Sequence, residues 1–297
     1  MKRIIIPLAA LMVSSCIVDP LYIRMSGTYW SYSKDEQTAR VCFEDDYHTS
    51  VLQYVESGNS YGSTQAIHGT YTTDGHQVLL SGNNWTNDIK FVRTFSHLKN
   101  NSTSKNLTPL KPQSYSGLGG SVWASMVNGD FEVAWFSSDG KCNHAVYKNV
   151  PREEGKPYGW QWHESDYTIN GNQLCYGDKS ATLFEDFMVI DTLAVLRAAP
   201  VTDDSATDAL TGTFWTALFQ NGNNILPGAI VFNGTGTFTR FIVASEIVYQ
   251  ARTGSYTFNG ESITLTLNDK EETCPLGGDR FTYSGLTFTK TTPESLP

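Results

Sequence analysis

Charge is scarce in this chain. Lys, Arg, Asp and Glu make up only 17% of 297 residues, and no segment carries the charged stripe of a long amphipathic helix. That excludes helical bundles and coiled coils, which need such stripes along every helix. Long apolar runs are missing too: the run Ile4 to Val13 falls well short of the ~20 residues a membrane-spanning helix requires. Positive charge is outnumbered, 21 Lys and Arg against 30 Asp and Glu, for a net −9. This balance argues against nucleic acid as a partner and against adhesion to anionic lipid. The six histidines, His48, His68, His76, His97, His144 and His163, are scattered without His-Glu-x-x-His or any paired metal spacing. No cofactor and no metal are expected, and the chain is not read as an enzyme.

What the chain does have is a phrase written three times. Tyr71-Thr72-Thr73-Asp74-Gly75, Tyr167-Thr168-Ile169-Asn170-Gly171 and Tyr256-Thr257-Phe258-Asn259-Gly260 share one frame. Asp-Gly and Asn-Gly favour the type I′ hairpin turn, with positive φ at both central residues, so Gly75, Gly171 and Gly260 are expected at positive φ. Upstream of each stands a tryptophan, in Gly27-Thr28-Tyr29-Trp30, Gly120-Ser121-Val122-Trp123 and Gly212-Thr213-Phe214-Trp215. The tryptophans recur after 93 and 92 residues, which makes the chain a threefold internal repeat of units about 80 residues long. A tryptophan demanded by every copy is a core plug rather than a site. Units so small bury little surface alone, so each is expected to pack on a neighbour or carry a covalent brace.

The expected fold is all-β: three tandem small antiparallel barrels or sandwiches joined by short linkers. Residues 17–98 form the first repeat, 99–117 a linker rich in Asn, Ser and Thr, 118–197 the second repeat, 198–209 an acidic linker, 210–291 the third repeat and 292–297 a tail. In the third, Ile263, Leu265 and Leu267 alternate with Ser262, Thr264 and Thr266, one buried face and one wet. The second is divergent. Ser165 stands where Gly69 and Gly254 stand in its sisters, and extra length coincides with Pro151 to Glu164.

At the N-terminus, Lys2 and Arg3, the apolar run and Ser14-Ser15-Cys16 have the three-part shape of a secretory signal. Val13-Ser14-Ser15-Cys16 resembles the lipobox of bacterial lipoproteins, which implies removal of residues 1–15 and lipid attachment at Cys16. Acyl chains there would hold the body on the outer membrane, on a face the short tether leaves open. Leu210-x-Gly212-Thr213-x-Trp215, Gly254-x-Tyr256-Thr257-x-x-Gly260 and Gly285-Leu286-Thr287-Phe288 together look like the lipocalin-like small β domains of Bacteroidetes lipoproteins. The resemblance implies a fold and no ligand residues. About 80 residues is also short for an eight-stranded barrel that encloses a ligand. Asp191-Thr192-Leu193 and Asp204-Ser205-Ala206 resemble the O-glycosylation tripeptide of exported proteins of that group.

Four cysteines remain after Cys16, and only Cys142 and Cys175 share a repeat, so they are either a disulfide or two small buried thiols. Gly58-Asn59-Ser60-Tyr61-Gly62 matches the nucleophile elbow of serine hydrolases, yet the strand and helix that an elbow needs around it are not visible. Glu44-Asp45-Asp46 lacks the alternating ligands of a calcium loop. Tyr158, Trp160 and Trp162 share one face of a strand by the two-residue period; exposed, they would make a platform for stacking on a glycan, and buried, a local latch. The expected function is a lipid-anchored, non-catalytic binding or interaction module of the cell envelope. Its partners are the membrane through the anchor and a glycan or envelope protein; a glycan-binding lipoprotein and an envelope hydrolase are the alternatives.

Overall fold

A computed structural model of the chain describes residues 24–292 apart from 35–36, 58–59, 83–88, 95, 101–105, 128–129, 149–158, 191–192, 200–207, 222–223, 235 and 246–247. Statements of absence below refer to the described residues. Cys16, Tyr158, Thr192 and Ser205 lie outside them.

Every described element is a strand or a turn, and each repeat supplies eight strands. The first unit has β1 (Thr28–Lys34), β2 (Gln37–Phe43), β3 (His48–Ser57), β4 (Ser60–Thr73), β5 (Gln77–Ser81), β6 (Ile89–Arg93), β7 (Leu98–Asn100) and β8 (Asn106–Pro109). The second has β9 (Val122–Val127), β10 (Asp130–Phe136), β11 (Lys141–Lys148), β12 (Gly159–Asn170), β13 (Gln173–Tyr176), β14 (Lys179–Leu183), β15 (Phe187–Ile190) and β16 (Leu193–Ala199). The third has β17 (Phe214–Asn221), β18 (Asn224–Gly234), β19 (Thr237–Ser245), β20 (Val248–Phe258), β21 (Ser262–Leu267), β22 (Lys270–Pro275), β23 (Arg280–Tyr283) and β24 (Leu286–Thr291). Units one and two close into up-and-down antiparallel rings; in unit three the ring is open only between β22 and β23. Eight strands fit into so short a unit because several are only three to five residues long.

The tryptophan phrase is explained by a hydrogen-bond relay built three times. Trp30 Nε1 donates to Thr28 Oγ1 at 3.0 Å, and Thr28 donates on to the Met25 carbonyl at 2.5 Å. Trp123 uses Ser121 at 2.9 Å and then Leu118 at 2.6 Å. Trp215 uses Thr213 at 2.8 Å and then Leu210 at 2.5 Å. A hydroxyl two residues before the ring therefore satisfies an indole N–H that burial would otherwise strand. All three rings are buried in their barrels. The glycine before each hydroxyl has φ between +72° and +78°, a region open to glycine at little cost.

The hairpin glycines also behave as expected in sign: Gly75, Gly171 and Gly260 have φ of +93°, +64° and +95°. The turn type differs. Asn170 pairs with Gln173 across the turn, and the Asp74 and Asn259 amides donate to the Gln77 and Ser262 carbonyls. Glycine is thus the first central residue, the type II′ arrangement, and only it has positive φ. The Asp74 and Asn259 side chains sit one position earlier and accept the two amides that follow the glycine. Type I′ geometry occurs elsewhere, at Asn268-Asp269 and Ser284-Gly285, where both central φ are positive.

Two further expectations are corrected. The stretch 99–117 is not simply a linker: β7 and β8 fall partly or wholly inside it, and β8 closes the first barrel by pairing with β1 and β7. Cys142 and Cys175 are not bridged. Cys142 is buried inside the second barrel, whereas Cys175 is exposed, so the wall separates the two thiols.

The three barrels pack into one body. Backbone pairing of β20 with β4 fuses units one and three into a single sixteen-stranded sheet. Unit two lies across that sheet, with Tyr249 Oη donating to the Ala124 carbonyl at 2.7 Å and Thr253 Oγ1 to the Ala198 carbonyl at 2.9 Å. Between units two and three lies a cluster of nineteen buried residues, more than the described residues that fill the interior of any single barrel. Units one and two meet at Tyr29, Phe184 and Phe187, beside the largely buried ion pair of Arg40 Nη2 with Asp186 at 2.5 Å.

Candidate functional site

The middle barrel is inverted near one end. In β10, Phe131, Val133 and Trp135 belong to the cluster between barrels, while Ala134 and Phe136 belong to the barrel's own interior. The two-residue period therefore turns Asp130 and Glu132 inward. The same parity turns Ser125 inward on β9, His144 and Lys148 on β11, Gln161 on β12 and Lys179 on β14. The backbone register places them in tiers. Ser125 pairs with Glu132, Glu132 with Val146 and Val146 with Gln161, so one tier runs across four strands; Asp130 and Lys148 lie beyond it, toward the barrel mouth.

Two pairs form among the titratable groups of this mouth. His144 Nε2 stands 3.3 Å from Glu132 Oε2, and Lys148 Nζ donates to Asp130 Oδ2. Burial works to raise the Glu132 pKa, but the His144 hydrogen bond and the nearby His144, Lys179 and Lys148 charges outweigh it and hold the carboxyl below its ordinary range. The ionised form thus stabilises the fold above that ordinary range, and the contribution is lost as pH falls through the lowered value. Cys142, deeper in the same barrel, has its thiol pushed well above the usual value by burial, which leaves it inert.

Two groups here have no partner. Ser125 is 2% exposed and its Oγ makes no hydrogen bond, and Gln161 Nε2 is likewise buried and unpaired. Serine, histidine and glutamate in one barrel suggest nucleophilic chemistry, but Ser125 is bonded to neither His144 nor Glu132. The three groups do not form a nucleophilic relay.

The equivalent tiers of the sister units differ. Where the middle barrel has Glu132 and His144, unit one has Ala39 and Val51, and unit three has Gly228 and Arg240. None of these mouth residues was singled out in the sequence for ligand binding.

The residues that were singled out fall elsewhere. Trp162 is buried and Trp160 partly so, both on the outer wall of the middle barrel against Phe214 of unit three. The solvent-facing glycan platform is therefore not formed, and the two rings act as a latch between barrels. Both rings are engaged in edge-on or tilted contacts with Phe214, Trp135 and Tyr147. Ser60 opens β4 and pairs with Ser57 and Arg252, which is not the strand-to-helix turn of a nucleophile elbow. Asp45 caps the amides of Tyr47 and His48, and Asp46 pairs with Arg24, so the acidic run finishes a strand end. Among the described residues no group of His, Cys, Asp and Glu could hold a metal, and no helix is long and apolar enough to cross a membrane.

No protein-family model matches the chain, and no curated protein matches it in sequence. Among solved structures it is similar to the DNA polymerase III subunit beta from Pseudomonas aeruginosa, with 7% identity, a TM-score of 0.14, and 93% of this chain and 98% of that one covered. The Helicobacter pylori beta clamp in complex with carprofen matches at 6% identity and a TM-score of 0.15, with 89% of this chain and 91% of that one covered. The Thermotoga maritima beta subunit matches at 9% identity and a TM-score of 0.14, with 91% and 92% covered. Scores this low carry no argument about function.

Proposed function

We propose that the chain is a lipid-anchored protein of the bacterial outer membrane and a non-catalytic binding module whose ligand enters the mouth of the middle barrel. The binding reading rests on Ser125 Oγ and Gln161 Nε2, two buried groups without partners in the tier that holds Glu132. Leaving a buried polar atom unmatched costs about 1–3 kcal/mol, which a hydrogen-bonding guest would recover. The two mouth carboxylates are matched by Lys148 and His144, so the guest that suits the mouth is small and polar. A panel of monosaccharides and free amino acids supplies the probes. At least one is expected to raise the melting temperature of the wild-type chain and to leave the Ser125→Ala variant unmoved. If no probe separates the two proteins, the binding reading falls.

The anchor reading rests on Val13-Ser14-Ser15-Cys16 at the end of the apolar run. Mass spectrometry of the membrane fraction is expected to find a mature chain that starts at an acylated Cys16. A water-soluble product cleaved at another position would overturn it.

A further inference from the structure

We propose that the edge of β12 is an interface that pairs with β12 of a second copy of this chain, in a twofold-symmetric dimer. Tyr167 N–H donates to the Gly140 carbonyl across the β11–β12 ladder at 2.8 Å. Alternation along that ladder then sends the backbone N–H and C=O of Trp160, Trp162 and Glu164 to the opposite edge. From Tyr167 onward that edge is taken by β13; before it, no described strand pairs there.

The sister units show what this edge is for. Tyr256 N–H donates to the Gly236 carbonyl at 2.9 Å, the counterpart of the Tyr167 bond, and sends Tyr249 and Ala251 outward on β20. Those two residues occupy the repeat positions of Trp160 and Trp162. They pair with β4, the fourth strand of unit one, through Tyr249 with Thr64 and Ala251 with Tyr61. Equivalent strands of two repeats thus meet antiparallel, edge to edge, about a local twofold axis. The middle repeat has the same strand, with the same edge turned out, and no third sister to receive it. A second copy supplies an identical strand in the orientation that β4 and β20 already use. Three outward backbone pairs that no described strand receives are also a template for pairing with another chain.

The test is the association state of the purified full chain, measured by sedimentation velocity across the micromolar range together with amide hydrogen exchange. The expected result is a reversible dimer in which the amides of Trp160, Trp162 and Glu164 exchange more slowly as concentration rises. Glu164→Pro removes an outward donor and the 3.9 Å ion pair with Lys141 but no hydrogen bond of the β11 ladder, in which the Glu164 amide takes no part, and is expected to give a monomer. Glu164→Ala is expected to remain a dimer. A chain that stays monomeric with those three amides exchanging freely would overturn the proposal. So would a dimer that forms while they exchange freely, because it would use another surface.

Discussion

Replacing Gly254 by alanine is expected to destabilise the protein by about 3 kcal/mol, at the upper end of the usual cost of overpacking. Gly254 sits where β20 passes from its pairing with β19 to its pairing with β21. A Cβ there would overlap the Thr266 carbonyl oxygen and press within 2.9 Å of the Phe238 ring. Neither obstacle yields cheaply, because one is backbone and the other is a fully buried ring. Gly69 makes the same close approach to Ser81 in unit one.

The middle repeat has Ser165 at this place and tolerates it for a visible reason. The register that pairs Tyr167 with Tyr176 brings Gly177 to the position of Thr266 and Ser81, with φ of +56°, so the glycine has moved to the partner strand. Ser165→Ala is accordingly expected to change stability by less than about 1 kcal/mol. Urea denaturation of the two variants checks both values, and equal costs at the two sites would contradict the account.

The sequence discloses the inside of the outer two barrels better than that of the middle one. Ile263, Leu265 and Leu267 alternate with half-buried neighbours along β21, as their pattern requires. The strand that closes the first barrel, β8, was hidden because its burial pattern has one inward residue, Leu107, among polar neighbours. The mouth of the middle barrel was hidden by a deeper ambiguity. Asp130-Phe131-Glu132-Val133 alternates cleanly, but its apolar face is turned outward onto another barrel, so the rule that apolar residues point inward assigns the wrong side.

The residue before each repeated tryptophan carried a further signal. Tyr29, Val122 and Phe214 all point away from their own barrels and into a neighbour. One outward apolar residue per repeat, next to an inward plug, marks a barrel meant to be covered on both sides.

The central claim is that three barrels share one cooperative structure whose largest core lies between the second and the third, and Phe214 is the residue on which it turns. Its ring is fully buried outside its own barrel, stacked on Trp135 at 5.1 Å and met edge-on by Trp160 at 5.0 Å and Trp162 at 6.1 Å. Truncation to alanine removes a buried aromatic and leaves a cavity among three indoles, so Phe214→Ala is expected to cost about 3–5 kcal/mol. Differential scanning calorimetry of the wild-type chain and this variant is the direct measurement. The account predicts one transition in each, with calorimetric and van't Hoff enthalpies equal and the whole transition shifted down in the variant. Separate transitions for the barrels, or a variant in which only the third unit melts early, would contradict it.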